Sequence, residues 1–176
     1  KTQRFVSQTG NVSFERTPYQ EGLYINDTTP DTGALGSQGL LINKNYKTDA
    51  TGITLNTTYQ NIGIRLLADK TVDKLYIYYK NTGLAAPITW SVYWSNDNSS
   101  WTFINQIDVT PTYDGINNAY RYEIVVSPAT LASYFKAVNL NTAPQVGGSD
   151  VEVTEIEAYG TDVVPETGKI TDVSES

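Results

Sequence analysis

The 176-residue chain contains no cysteine, no histidine and no methionine. Without cysteine there is no disulfide framework, no thiolate metal site and no thiol nucleophile. Without histidine there is no Ser-His-Asp relay, no imidazole-bound zinc and no side chain that titrates unperturbed near neutral pH. Charged residues are scarce too, at 18%, and they sum to a formal charge of -7 with no cluster of Lys or Arg. That balance excludes nucleic acid as an expected partner and offers no grip on anionic membrane surfaces. No apolar run approaches the about 20 residues that a bilayer-spanning helix needs, so membrane insertion is not expected. The chain opens at Lys1 without a charged-then-apolar leader, which reads as a processed mature chain or an excised domain.

What remains is the composition of half-buried strands joined by polar turns: 39% hydrophobic residues, 13 tyrosines, and abundant Thr, Asn and Ser. A chain of this length buries about 70% of its unfolded surface as one domain without any staple. One domain is therefore expected over residues 1–160. The tail 161–176 sets Asp162, Glu166, Asp172 and Glu175 against Lys169 with little apolar periodicity, and is expected to be a linker or mobile end.

From residue 62 onward the two-residue period of a strand recurs. Ile62, Ile64 and Leu66 share one parity, as do Leu75, Ile77 and Tyr79, and again Tyr120, Tyr122, Ile124 and Val126. Trp90, Val92 and Trp94 face one way, and Trp101, Phe103, Ile107 and Val109 are assigned to a matching face. Between the two runs, Asn96-Asp97-Asn98-Ser99-Ser100 predicts a tight hairpin turn. Ser127-Pro128 predicts a single helical turn over Ala129–Ser133. In the last strand Val151 and Val153 fall on one parity and Ile156 and Ala158 on the other, which a bulge near Thr154 and Glu155 reconciles. Before residue 60, short strand candidates at Val12–Phe14, Leu23–Ile25, Leu40–Ile42 and Ile53–Leu55 are separated by long polar loops. The pattern predicts an all-β, antiparallel β-sandwich with long N-terminal loops.

Three pieces carry a family resemblance: Ile62-Gly-Ile-Arg-Leu-Leu with Val72-Asp-Lys-Leu-Tyr-Ile-Tyr-Tyr, the hairpin Val92-Tyr-Trp-Ser-Asn-Asp-Asn-Ser-Ser-Trp101, and the close Glu155-Ile-Glu-Ala-Tyr-Gly160. Over residues 62–160 the chain resembles the galactose-binding-like jelly-roll domains, which include discoidin or coagulation-factor type C domains and many carbohydrate-binding modules. Ser95, Asp97 and Trp101 match the family's serine, aspartate and tryptophan around the turn. The resemblance implies binding of sugars, head groups or proteins through loops at one end, and a calcium ion held by Asp27, Asp31 and Glu157. The family's early Asp-Gly with Thr and Trp has no clear counterpart here, Asp27-Thr28-Thr29 being the nearest substitute.

Trp101, Trp90 and Trp94 are read as core anchors, because a tryptophan buries so much apolar area. The ligand-binding candidates are loop residues: Tyr46 with Asn43, and Tyr113 with Asp114 and Asn117. In each set a ring that can stack on a sugar face stands beside amides or acids that can bond its hydroxyls. Glu155 and Glu157, two apart on one strand, fall about 6–7 Å from each other, within the loose range for a glycosidase pair. Nothing in the sequence builds a cleft around them, so no enzyme is expected. The expectation is a non-catalytic, extracellular or cell-surface carbohydrate-binding module. The alternative is a structural or decoration subunit of a surface appendage or virion, contacting a surface protein or assembling with itself through residues 1–16, which alternate weakly enough to extend a neighbour's sheet.

Overall fold

The computed structural model describes residues 23–27, 46, 52–142 and 144–160, with backbone alone at 23–27. The expected tail 161–176 and the segment 1–16 lie outside these residues, as do Asn43 and Asp31. Every regular element among them is a strand: β1 (Leu23–Asp27), β2 (Ile53–Leu55), β3 (Asn61–Tyr79), β4 (Ile88–Ser95), β5 (Thr102–Val109), β6 (Thr112–Asp114), β7 (Ala119–Asn139), β8 (Gln145–Val146) and β9 (Ser149–Gly160).

β3 and β7 are long enough to serve two layers. The start of β3, up to Arg65, pairs with β1 and with the far half of β7, which continues to β4 and β5. After a register shift between Arg65 and Lys70, the rest of β3 pairs with β9 and with the near half of β7, while β2 adds to β9 and β6 to β7. All these pairings are antiparallel. Such a shift bends a strand around the corner of a sandwich.

Ile62, Ile64, Trp90, Val92 and Phe135 of one layer meet Leu75, Ile77, Tyr122, Ile124 and Ile156 of the other in a single buried cluster. Burying each of the larger apolar side chains stabilises the fold by roughly 1.5–3 kcal/mol, and a one-residue slip would turn a whole set outward, so the alternation fixes the register. The expected faces of β3 and β7 are those observed, and Trp90 and Val92 are in the core. Partners jump from Glu155 to Val153 as β3 passes from Tyr78 to Tyr79, so Thr154 is the extra residue of the expected bulge. The Asn96–Ser100 turn is present: Ser95 Oγ accepts the amides of Asp97 and Asn98, and Asp97 Oδ1 accepts those of Ser99 and Ser100. These amides, with the Ser95 hydroxyl, lower the Asp97 pKa to about 2.

Two expectations are corrected. Residues 129–133 form no helical turn; Thr130, Leu131 and Ala132 pair with Val72, Thr71 and Lys70, so β7 runs extended through the cis Ser127–Pro128 bond. Trp101 is not a core anchor. A shift in the β4–β5 register, from Val92↔Asn105 to Tyr93↔Phe103, inserts Ile104 as an extra residue and reverses the parity of what precedes it. Phe103 is therefore exposed beside Tyr93, and Trp101 lies half-buried on the outer face, its ring 4.4 Å from the Lys136 ammonium. Trp94 packs partly buried against the core.

β3 runs down one layer and back up the other, so its two ends meet at one end of the sandwich. The connections at 56–60, 80–87, 110–111, 115–118 and 140–148 all leave from that end.

Candidate functional site

The β6–β7 turn at this end is organised by one carboxylate. Asp114 Oδ1 accepts the Ile116 amide at 3.0 Å, and Oδ2 accepts the Tyr78 hydroxyl at 2.8 Å, the Asn117 side-chain amide at 2.8 Å and Arg121 Nη1 at 3.0 Å. Burial works against ionisation of Asp114. The donors from Tyr78, Ile116 and Asn117 and the Arg121 charge outweigh it, and the carboxyl stays below its ordinary range. The same guanidinium donates to the Tyr78 hydroxyl at 2.7 Å, binds Glu123 through Nε and Nη2, and lies 4.1 Å from the Tyr76 ring centre. Asp114 and Asn117, expected to face a ligand, are thus engaged in fixing the turn.

Tyr46 joins the same network from the far side. Its ring meets the edge of Tyr78 at 4.6 Å and its hydroxyl donates to Glu157 Oε2 at 2.8 Å, while Tyr159 donates to Oε1 at 3.0 Å. Glu157 is 2% exposed. Burial raises its pKa against the opposing pull of the two phenols and Arg121. Burial, reinforced by Glu157, also pushes the Tyr46 hydroxyl up. Tyr46, Asp114, Asn117 and Glu157 are therefore gathered on one outer sheet face, which the sequence places far apart. Asp27 ends β1 opposite Asn61. Among the described residues no three acidic side chains stand close enough to hold a metal ion.

Of the two candidate tyrosines, Tyr113 has the exposed ring, at the edge of the sheet. Paired Tyr79, Tyr120 and Tyr113 form a rung of the sheet, with ring centres 5.9 Å and 5.1 Å apart, and exposure rises from 0% at Tyr79 to 57% at Tyr113. Tyr113 also donates to Asn118 Oδ1 at 3.2 Å. At the inner end of the rung, the Tyr79 hydroxyl donates to Gly83 O and accepts the Ala85 amide, tying down the loop between β3 and β4. Burial pushes that phenol up to about 12.

One residue of this end escaped the sequence reading. Tyr59 is 49% exposed and has φ of 70°, a left-handed conformation that costs a bulky residue about 1–3 kcal/mol. Fully buried Asn139 holds it there: Tyr59 N donates to Asn139 O at 2.7 Å, and Asn139 Nδ2 donates to Thr57 O at 3.2 Å. Nothing in Asn56-Thr-Thr-Tyr-Gln60 signals φ at a single position.

Neither a family model nor a curated protein sequence matches the chain. Among solved structures it is similar to a CBM32 module produced by Clostridium perfringens, at 14% identity over 82% of this chain and 100% of that one, with a TM-score of 0.50. It is also similar to a chitosan-binding module derived from a chitosanase/glucanase of Paenibacillus sp. IK-5, at 17% identity over 82% and 100% of the two chains, with a TM-score of 0.51. The fold is the galactose-binding-like β-sandwich. Within this galactose-binding-like frame, Tyr59 and Tyr113 are the two exposed tyrosines among the described side chains, and both stand at the end where the loops gather.

Proposed function

We propose that the chain is a non-catalytic carbohydrate-binding module of a secreted or surface-exposed protein, and that Tyr113 is its stacking platform. The observation that carries this is an exposed aromatic ring on the edge strand β6, rather than in the expected loop, next to a turn that the Asp114 carboxylate fixes. A ring held in place before binding loses little freedom on contact, so more of the stacking and burial energy appears as affinity. Asn118, bonded to the Tyr113 hydroxyl, sets an amide beside the ring for sugar hydroxyls. Similarity of fold to carbohydrate-binding modules supports the reading.

A glycan array followed by calorimetric titration tests it. Tyr113→Ala should weaken binding by about 1–3 kcal/mol, as for a stacked aromatic contact, and leave the melting temperature unchanged. Equal affinity in the variant removes Tyr113 from the site, and an intact protein that binds no glycan overturns the reading.

A further inference from the structure

We propose that the cleft between β2, the β3–β4 loop and the β8–β9 hairpin is a second binding site, made for an amino sugar in its ammonium form. The cleft has a volume of about 530 Å³, within the range of small-molecule sites. Thr54, Asn81, Gln145, Ser149, Asp150 and Glu152 line it.

The walls are held rigidly. The Asn81 side chain acts as a short piece of strand: its Nδ2 donates to Asp150 O at 3.1 Å and its Oδ1 accepts the Glu152 amide at 3.1 Å. Val151 N donates to Pro144 O at 3.1 Å and Ala86 N to Gln145 O at 3.4 Å, which fixes the hairpin against the sheet and the β3–β4 loop. Gly147 and Gly148, at φ of 56° and 85°, turn the hairpin in a conformation that only glycine enters freely.

Charge then selects the ligand. Lys80 is paired with Glu152, and no cation among the described residues pairs with Asp150. One carboxylate at the cleft is therefore unmatched. Among the described residues the lining is polar, and recognition by them rests on hydrogen bonds and charge. The hydroxyls of Thr54 and Ser149 and the Gln145 amide suit ring hydroxyls, and Asp150 suits an ammonium. A uronate would meet repulsion from the same group, and N-acetylation would remove the attraction.

The inference rests on the carbohydrate-binding reading and adds the charge of the sugar. Its test is calorimetric titration of the full chain with glucosamine oligomers, N-acetylglucosamine oligomers and polygalacturonate, at low and high salt. The wild type should prefer glucosamine oligomers. Asp150→Asn should lower that preference about threefold to tenfold, the range for one exposed ion pair, and flatten its salt dependence. Ser149→Trp, a substitution at an exposed wall residue, should remove the preference by filling the cleft. Tyr113→Ala should weaken charged and acetylated oligomers alike. An unchanged preference in both cleft variants, or equal wild-type binding of the two oligomers, overturns the cleft and leaves the Tyr113 platform standing. Failure to bind any of these three glycans overturns the cleft, and the Tyr113 platform falls with it only if the glycan array is blank as well.

Discussion

Arg121 Nη1 lies 3.0 Å from Asp114 Oδ2 in an ion pair whose side chains are only 15% and 4% exposed. The pair links mid-sheet to the turn that follows β6, and removing Asp114 takes the acceptor from the Tyr78 hydroxyl, the Ile116 amide and the Asn117 side chain while Arg121 keeps Glu123 as an ion-pair partner. Asp114→Ala should therefore cost about 3–5 kcal/mol in urea unfolding. It should also free the turn, so affinity for any glycan that stacks on Tyr113 falls further than stability alone explains. A variant that unfolds like the wild type would show that Glu123, Tyr78 and water accommodate Arg121 without Asp114.

The left-handed Tyr59 gives a sharper test, because glycine and alanine separate strain from contact. Both substitutions delete the ring, but only glycine occupies φ of 70° without steric cost. Tyr59→Gly should be more stable than Tyr59→Ala by about 1 kcal/mol, measured by thermal or urea unfolding. Equal stabilities would mean that the loop relaxes out of this conformation once the ring is gone. If Tyr59 also touches the glycan, both variants should lose affinity together.

The β3 and β7 faces were legible because their alternation is unbroken over several residues and each face is dry on one side. β5 was not. There a single inserted residue, Ile104, shifts the phase, and no residue type in Thr102-Phe-Ile-Asn-Gln106 marks the insertion. The bulge at Thr154 could be inferred, since apolar residues on both sides of it reported the change of parity; at Ile104 the flanking aromatics suit either face. For the site, Tyr46, Asp114, Asn117 and Glu157 were picked out by residue type, and the fold gathers them into one network. What they face depends on pairings such as Tyr76↔Glu157, which no local pattern contains. Tyr59 was missed because a backbone angle set by Asn139, 80 residues away, leaves no local trace.

The corrected place of Trp101 changes the expected cost of its removal. Trp90 is 0% exposed and packs edge-on to Tyr122 at 5.5 Å, so Trp90→Ala should cost about 3–5 kcal/mol. Trp101 loses less packing, since its half-buried ring rests on Lys136 and the edge of Tyr134. Its truncation should cost about 1–2 kcal/mol, most of it from lost cation–π and stacking contacts. Paired urea titrations decide between the two placements: equal losses would return Trp101 to the core.

Glu157 gives the fold a pH dependence whose sign can be worked out. Its folded pKa is raised above the ordinary 4.5 by burial, so its contribution to stability is complete below 4.5 and is lost as pH rises through the folded value. Asp114 runs the other way. Its folded pKa is lowered, so its contribution is present above 3.8 and is lost as pH falls through the folded value. Above 4.5 the slope from this cluster therefore belongs to Glu157. In Glu157→Gln the amide oxygen still accepts one phenol and the amide nitrogen donates to the oxygen of the other, without a charge to desolvate. Urea midpoints of wild type and variant, measured from pH 4 to pH 8, should diverge in the variant's favour as pH rises. Parallel curves across that range would show that Arg121 and the phenols fully compensate the buried charge.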